Sequence, residues 1–189
     1  QGISAGQRIL PLIQAKKKVF EKPNSKDLDI KNGEVIFENV NFKYEKEENK
    51  ILKNVNLKID GGKMTSLVGH SGAGKSTILN LIPRFYDIDS GNILIDKTSI
   101  YDAKLSSLRS NISLVSQDVT LFDDTIKNNI SYGNSSASDE EIYKAIELSF
   151  CKEFIDSLPN KENTIIGENG VRLSGGEKQR ISIARAMLK

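Results

Sequence analysis

Gly69-His-Ser-Gly-Ala-Gly-Lys-Ser-Thr77 lies between an apolar run, Met64–Val68, and a segment with helical apolar spacing that begins at Lys75. The string fits G-x-x-x-x-G-K-[ST], and its setting is the one that motif requires, a strand before it and a helix after it. Gly69, Gly72 and Gly74 let the backbone bend so that successive N–H groups face one point. His70, Ser71 and Ala73 fill the variable positions. Lys75 can reach the β- and γ-phosphates of a nucleotide, Ser76 closes the motif and can ligate Mg²⁺, and Thr77 follows it as a further candidate contact. The fold class read from this stretch is α/β, of the P-loop nucleotide-binding type. Kinases, GTPases and ATPases all use such a loop, so it leaves the activity open. His70 is the chain's one histidine and reads as an exposed loop residue.

Working outward, "EVIFENV" (34–40) and "VNLKI" (55–59) alternate and read as strands, with the turn "DGG" (60–62) following. "MTSLVG" (64–69) reads as a short buried strand and the next helix as Lys75 to about Phe85. "GNILID" (91–96) and "NISLVS" (111–116) read as further strands. Ser138 with Glu141, and Ser174 with Glu177, have the spacing of capping boxes at two helix starts. Strands dominate early and helices late. Residues 1–20 have apolar Ile9, Leu10 and Ile13 ahead of Lys16, Lys17 and Lys18, the pattern of a helix tail. Residues 21–33 form a polar linker punctuated by Pro23 and Gly33.

The 189 residues suit one domain with a short appendage. Hydrophobic content of 38% and charged content of 28% fit a folded core. A net charge of +2 gives no electrostatic case for nucleic acid. A lone Cys151 excludes an intrachain disulfide, fits a reducing compartment and reads as a small apolar helix residue. No run approaches the ~20 apolar residues of a membrane helix.

Residues 173–180, LSGGEKQR, narrow the activity. Capping accounts for Ser174 and Glu177 but not for Gly175 and Gly176. Glycine costs about 0.8–1.0 kcal/mol relative to Ala inside a helix, and what it gains here is an unobstructed backbone face. LSGGEKQR resembles the signature motif of ATP-binding-cassette (ABC) ATPases, whose cassettes pair head to tail. The resemblance implies that Ser174, Gly175, Gly176 and Gln179 touch ATP held by the phosphate loop of a second cassette. "FKYEKEENKILKNVNLKI" is similar to the family's adenine-stacking strand, with Tyr44 as the aromatic. "NISLVSQDVTLFDDTIKNNISYG" is similar to the Q-loop of exporter-type cassettes, which implies that Gln117 sits near Mg²⁺ and the attacking water. "TIIGENGVRLSGG" is similar to the exporter segment ahead of the signature, with Glu168 and Gly170 in place.

The resemblance covers about residues 34–189, as an ATP-binding domain with an antiparallel β subdomain and a helical subdomain at about 118–175. Residues 1–33 are expected to be the cytoplasmic end of a transmembrane helix and its linker. The resemblance implies ATP and Mg²⁺, a homodimeric second cassette, and a membrane domain of the same transporter. It also implies a place on the cytoplasmic face of the plasma or bacterial inner membrane. Nucleic acid is not an expected partner, and the exported substrate is expected not to contact this domain. A soluble ABC ATPase and a non-catalytic ATP-binding fragment are the alternatives.

The family's pattern continues with an apolar strand ending in a Mg²⁺-holding Asp, a water-polarising Glu and, further on, a His. These 189 residues show no counterpart, and they begin at Gln1 and not at a methionine, so the chain reads as cut at both ends and is expected alone to bind nucleotide weakly and hydrolyse ATP negligibly. "NILID" (92–96) ends in an acid but is followed by Lys97 and fits the family's antiparallel strand instead. Ile181, Ala184 and Leu188 form a helix stripe expected to pack on a further strand.

Overall fold

The computed structural model describes residues 9–10, 19–45, 49–167 and 171–189. Ile13, Lys16–Lys18, Glu168 and Gly170 lie outside them. The chain divides into two compact units, residues 1–111 and 112–189.

The first unit is built on an antiparallel sheet of order β2-β1-β3-β4: β1 Val35–Phe42, β2 Leu52–Ile59, β3 Ser90–Ile95 and β4 Thr98–Ser99. The alternation of β1 slips by one residue after Phe37. The register of both neighbouring ladders shifts there, and Asn39 takes φ 49°. This bulge lets Phe37, Val40 and Phe42 all point inward, though Phe37 and Val40 are three apart. They bury themselves with Leu52, Ile93 and Ile95. β3 and β4 join through Asp96 and Lys97, both at positive φ (46° and 68°), the backbone of a tight primed hairpin turn.

The 21–33 segment is fastened to this unit. Leu28 is buried, and Lys26 exchanges backbone hydrogen bonds with Asp102 and Lys104. The Asp96 carboxylate accepts the N–H groups of Lys31, Asn32, Gly33 and Glu34 at 2.7–3.0 Å. Those bonds lower its pKa to about 2.

Helix α1 spans Lys75–Leu81, shorter than the sequence pattern suggests. Pro83 cannot continue the ladder, and Arg84 turns left-handed at φ 53°. The Arg84 and Phe85 N–H groups then close back on Leu81 and Asn80, a Schellman end. The Arg84 guanidinium is buried and binds Asp87 at 2.6 Å and the Phe20 carbonyl at 2.9 Å. A short helix, α2, covers Leu105–Ser110.

Two expected strands are absent. Residues 64–69 and 111–116 belong to no ladder among the described residues. Met64 and Val68 are 97% and 94% exposed, and Leu114 and Val115 are exposed as well. An apolar run becomes a strand only when a neighbour takes its N–H and C=O groups, and among the described residues neither run has one.

The second unit is helical: α3 Ile126–Ser131, α4 Asp139–Leu148, α5 Lys152–Asp156 and α6 Gly175–Leu188. A two-strand ribbon joins β5 Asp124–Thr125 to β6 Ile165–Ile166. Ser138 and Ser174 both complete the capping boxes read from the sequence. Ile181, Ala184 and Leu188 do not await a strand. They are buried in this unit's own core with Ile126, Ile130, Ile142 and Ile146, because α6 packs on α3 and α4. Cys151 is buried there too, just ahead of α5. Among the described residues, no helix is long and apolar enough to cross a membrane.

Candidate functional site

In the first unit, the sharp path of the loop rests on Gly72 at φ 80° and Gly74 at φ 86°, conformations that disfavour any side chain. At Gly74 a Cβ would also meet Leu52 Cδ2 at 2.8 Å, so β2 fixes how closely the loop approaches the sheet. The Ala73 N–H closes a turn on the His70 carbonyl at 3.2 Å. Lys75 spans the loop. Its ammonium donates to the carbonyl oxygens of Gly69 at 2.9 Å and His70 at 2.7 Å. That suspends a full positive charge over the concavity, where an anion can exchange with two neutral acceptors.

His70, Ser71, Gly72, Ala73 and Ser76 are exposed, while Gly74 and Thr77 are buried. Ser76, in the first turn of α1, offers a hydroxyl oxygen beside the loop, a hard donor suited to Mg²⁺. Tyr44, just past β1, comes to the same place: its hydroxyl lies 3.3 Å from Thr77 Oγ1. Its ring stands edge-on to Phe42 and Tyr86, centroids 4.8 and 5.0 Å away. Tyr86 completes this aromatic group, and no local pattern around it signals that role. Asp96, the acid that imitates a metal-binding strand end, is taken up by four backbone amides.

In the second unit, α6 starts at Ser174. The Glu177 carboxylate accepts the Ser174 N–H at 2.7 Å, and Ser174 Oγ accepts the Glu177 N–H at 3.3 Å. These bonds lower the Glu177 carboxyl pKa. The amides of Gly175 and Gly176 stay outside the capping box, and a Cβ on either residue would meet nothing within 4 Å. Ser174, Gly175, Gly176 and Gln179 are all exposed, so the structure brings them together as one outward surface. Gln117 is exposed on the extended segment that enters this unit.

Behind that segment lies a network that motif reading missed. Asn129 is fully buried. Its amide oxygen accepts the Phe122 N–H at 2.9 Å and Arg185 Nη2 at 3.2 Å. Its amide nitrogen donates to the Phe122 and Thr125 carbonyls, each at 3.0 Å. Arg185 Nε donates to the Asn129 carbonyl at 2.8 Å and Nη1 to the Thr120 carbonyl at 3.2 Å. Burial lowers the Arg185 pKa.

A family model described as "ABC transporter" matches residues 52–189. The chain belongs to the ABC transporter family. Its fold is that of the ABC ATPase domain. Over the whole chain, a bacterial Atm1-family ABC exporter solved with ATP bound superposes with a TM-score of 0.90 at 40% identity. The chain covers 33% of that exporter. An "ATP-dependent lipid A-core flippase" of Idiomarina loihiensis is 47% identical over 190 residues, 100% of this chain and 32% of the flippase. A "Heavy metal tolerance protein" of Schizosaccharomyces pombe is 46% identical over 183 residues, 97% of this chain and 22% of that protein. The chain thus spans about a third or less of the length of these ABC relatives.

Proposed function

We propose that this chain is the ATP-binding domain of an ABC exporter and couples ATP binding and hydrolysis to export across a membrane. The observation that carries this reading is the Lys75 ammonium, held 2.9 and 2.7 Å from two loop carbonyls above a backbone bent at Gly72 and Gly74. Lys75 would shift from those carbonyls to the β- and γ-phosphates, and the loop amides would hold the remaining phosphate oxygens. Tyr44 would carry the adenine ring, with Thr77 fixing its hydroxyl. Ser76 would hold Mg²⁺, which supplies charge neutralisation between the phosphates.

Ser174, Gly175, Gly176 and Gln179 would close on ATP bound to a second copy of the domain, head to tail. Their exposure and the open space over both glycines suit that role. A membrane domain would be the other partner, and would contact the exported substrate in this domain's place. The cassette would lie at the cytoplasmic face of the membrane and bind no nucleic acid. The relatives named as exporter and flippase support this assignment.

The 189-residue polypeptide taken alone would hydrolyse ATP negligibly. Asp96, the acid that ends an apolar run, is saturated by four backbone amides and is not available as the metal-holding Asp. Losing a general base typically removes 10²–10⁴ of rate.

Displacement of a fluorescent ATP analogue tests the reading. Lys75→Ala is expected to weaken ATP binding at least about tenfold, the worth of a charge-assisted contact. Undiminished binding by that variant would refute it. Turnover near one per second by the 189-residue polypeptide, abolished by Lys75→Ala, would refute the statement about hydrolysis.

A further inference from the structure

We infer that Arg185 is a positioning residue through which the helix bearing Ser174, Gly175 and Gly176 sets the backbone that follows Gln117. The inference rests on the function proposed above. Arg185 lies on α6, eleven positions after Ser174, about 16 Å along a rigid helix. Its planar fork reaches two different segments. Nη1 takes the Thr120 carbonyl, three residues past Gln117, and Nε takes the Asn129 carbonyl on α3. The third donor, Nη2, shares the Asn129 amide oxygen with the Phe122 N–H. The guanidinium also lies over the Phe122 ring, 5.8 Å from its centroid.

Asn129 is fully buried and has no slack, because its amide nitrogen is committed to Phe122 and Thr125. The helices cannot slide freely either: a Cβ at Gly133 would come within 2.2 Å of the Arg185 carbonyl oxygen, so α6 is seated against the end of α3. A displacement of α6 by an ångström would stretch bonds already at 3.2 Å past hydrogen-bond length unless residues 120–122 follow.

Packing alone does not call for this side chain. An apolar residue would fill the α3–α6 contact without desolvating a cation, and a lysine would supply charge without the fork. What a guanidinium adds is simultaneous reach to Thr120 and Asn129. A group reading the phosphate on the partner cassette is thereby joined to the loop carrying Gln117.

The test uses the full gene product. ATP affinity, steady-state turnover and amide hydrogen exchange over residues 118–125, with and without ATP, are measured for wild type, Arg185→Lys and Arg185→Gln. Ile146→Val serves as a destabilised core control, and Lys75→Ala monitors nucleotide binding. In wild type, ATP is expected to change exchange at Leu121 and Phe122. In Arg185→Lys that response disappears, kcat falls about tenfold, and ATP affinity and KM stay within about twofold. Arg185→Gln, which keeps one donor for Asn129, loses the response as well and decides the matter should the lysine variant not fold. A response that survives in the folded variants overturns the inference, as does an equal loss of kcat in Ile146→Val. ATP binding absent from wild type, or unchanged in Lys75→Ala, instead refutes the nucleotide-binding reading.

Discussion

Asn129→Ala is expected to cost the helical unit about 3–4 kcal/mol. The figure follows from what the amide touches. Its main bonds are three with neutral backbone groups, the Phe122 N–H, the Phe122 carbonyl and the Thr125 carbonyl, and one with the Arg185 guanidinium, beside a longer contact to the Asp124 carbonyl at 3.4 Å. Neutral bonds contribute about 1 kcal/mol net each and a bond to a charged group about 1.5–3. Their sum is about 5 kcal/mol. Phe122 is 45% exposed, so water can recover part of what its backbone loses, and the total falls accordingly. Asn129→Asp keeps both accepting roles and loses both donating ones, so it should sit between wild type and alanine at neutral pH. Urea unfolding followed by far-UV circular dichroism reads these differences, and the chain's lack of tryptophan makes dichroism the better probe. A loss below about 1 kcal/mol for Asn129→Ala would show that solvent replaces these bonds and that the network does not fasten residues 120–125.

Gly133→Ala should destabilise by about 2–3 kcal/mol in the same assay, because its Cβ would lie 2.2 Å from the Arg185 carbonyl oxygen on a packed helix. Gly176→Ala should separate stability from function: a Cβ there meets nothing within 4 Å, so melting is unchanged or slightly higher, while ATP turnover of the full gene product falls. Phe150 is 81% exposed at φ 56°, so Phe150→Gly should stabilise by about 0.5–1 kcal/mol, relief of left-handed strain outweighing glycine's entropy. Asp96 is lowered from 3.8 to about 2 in the fold. Its stabilising contribution is therefore complete above pH ~4 and is lost as pH falls toward ~2, so the stability gap between wild type and Asp96→Asn should close over that window in acid unfolding curves.

Sequence legibility tracked how far each residue's partners lie along the chain. Both capping boxes are encoded within four residues, and each forms with its full set of bonds. The phosphate loop is as local: its glycines and Lys75 lie within seven positions, and the ammonium reaches carbonyls five and six residues back. The bulge at Asn39 was half legible, since the broken alternation between Phe37 and Val40 was visible and its remedy was not. Asn129 was illegible, because a buried asparagine on an otherwise ordinary helix carries no local pattern. Its most informative partner, Arg185, stands 56 residues away.

The two failed strands sharpen the point. Met64–Gly69 and Asn111–Ser116 have the composition of buried strands, yet Met64 and Val68 stand almost fully exposed. Composition reports what a segment would do if neighbours covered it, and a ladder is a property of pairs. The stripe on α6 failed in the opposite sense. The spacing of Ile181, Ala184 and Leu188 suggests a stripe for a strand, whereas Ile126, Ile130, Ile142 and Ile146 cover them from two helices. An apolar face states that it must be buried and carries no information about what buries it. The alternation of β1 and β2 likewise marks each as a strand without saying which partner it takes, and the antiparallel ladder between them is what settles the pairing. At Gly175 and Gly176 a Cβ would meet nothing within 4 Å among the described residues, so packing at those positions does not account for the choice of glycine.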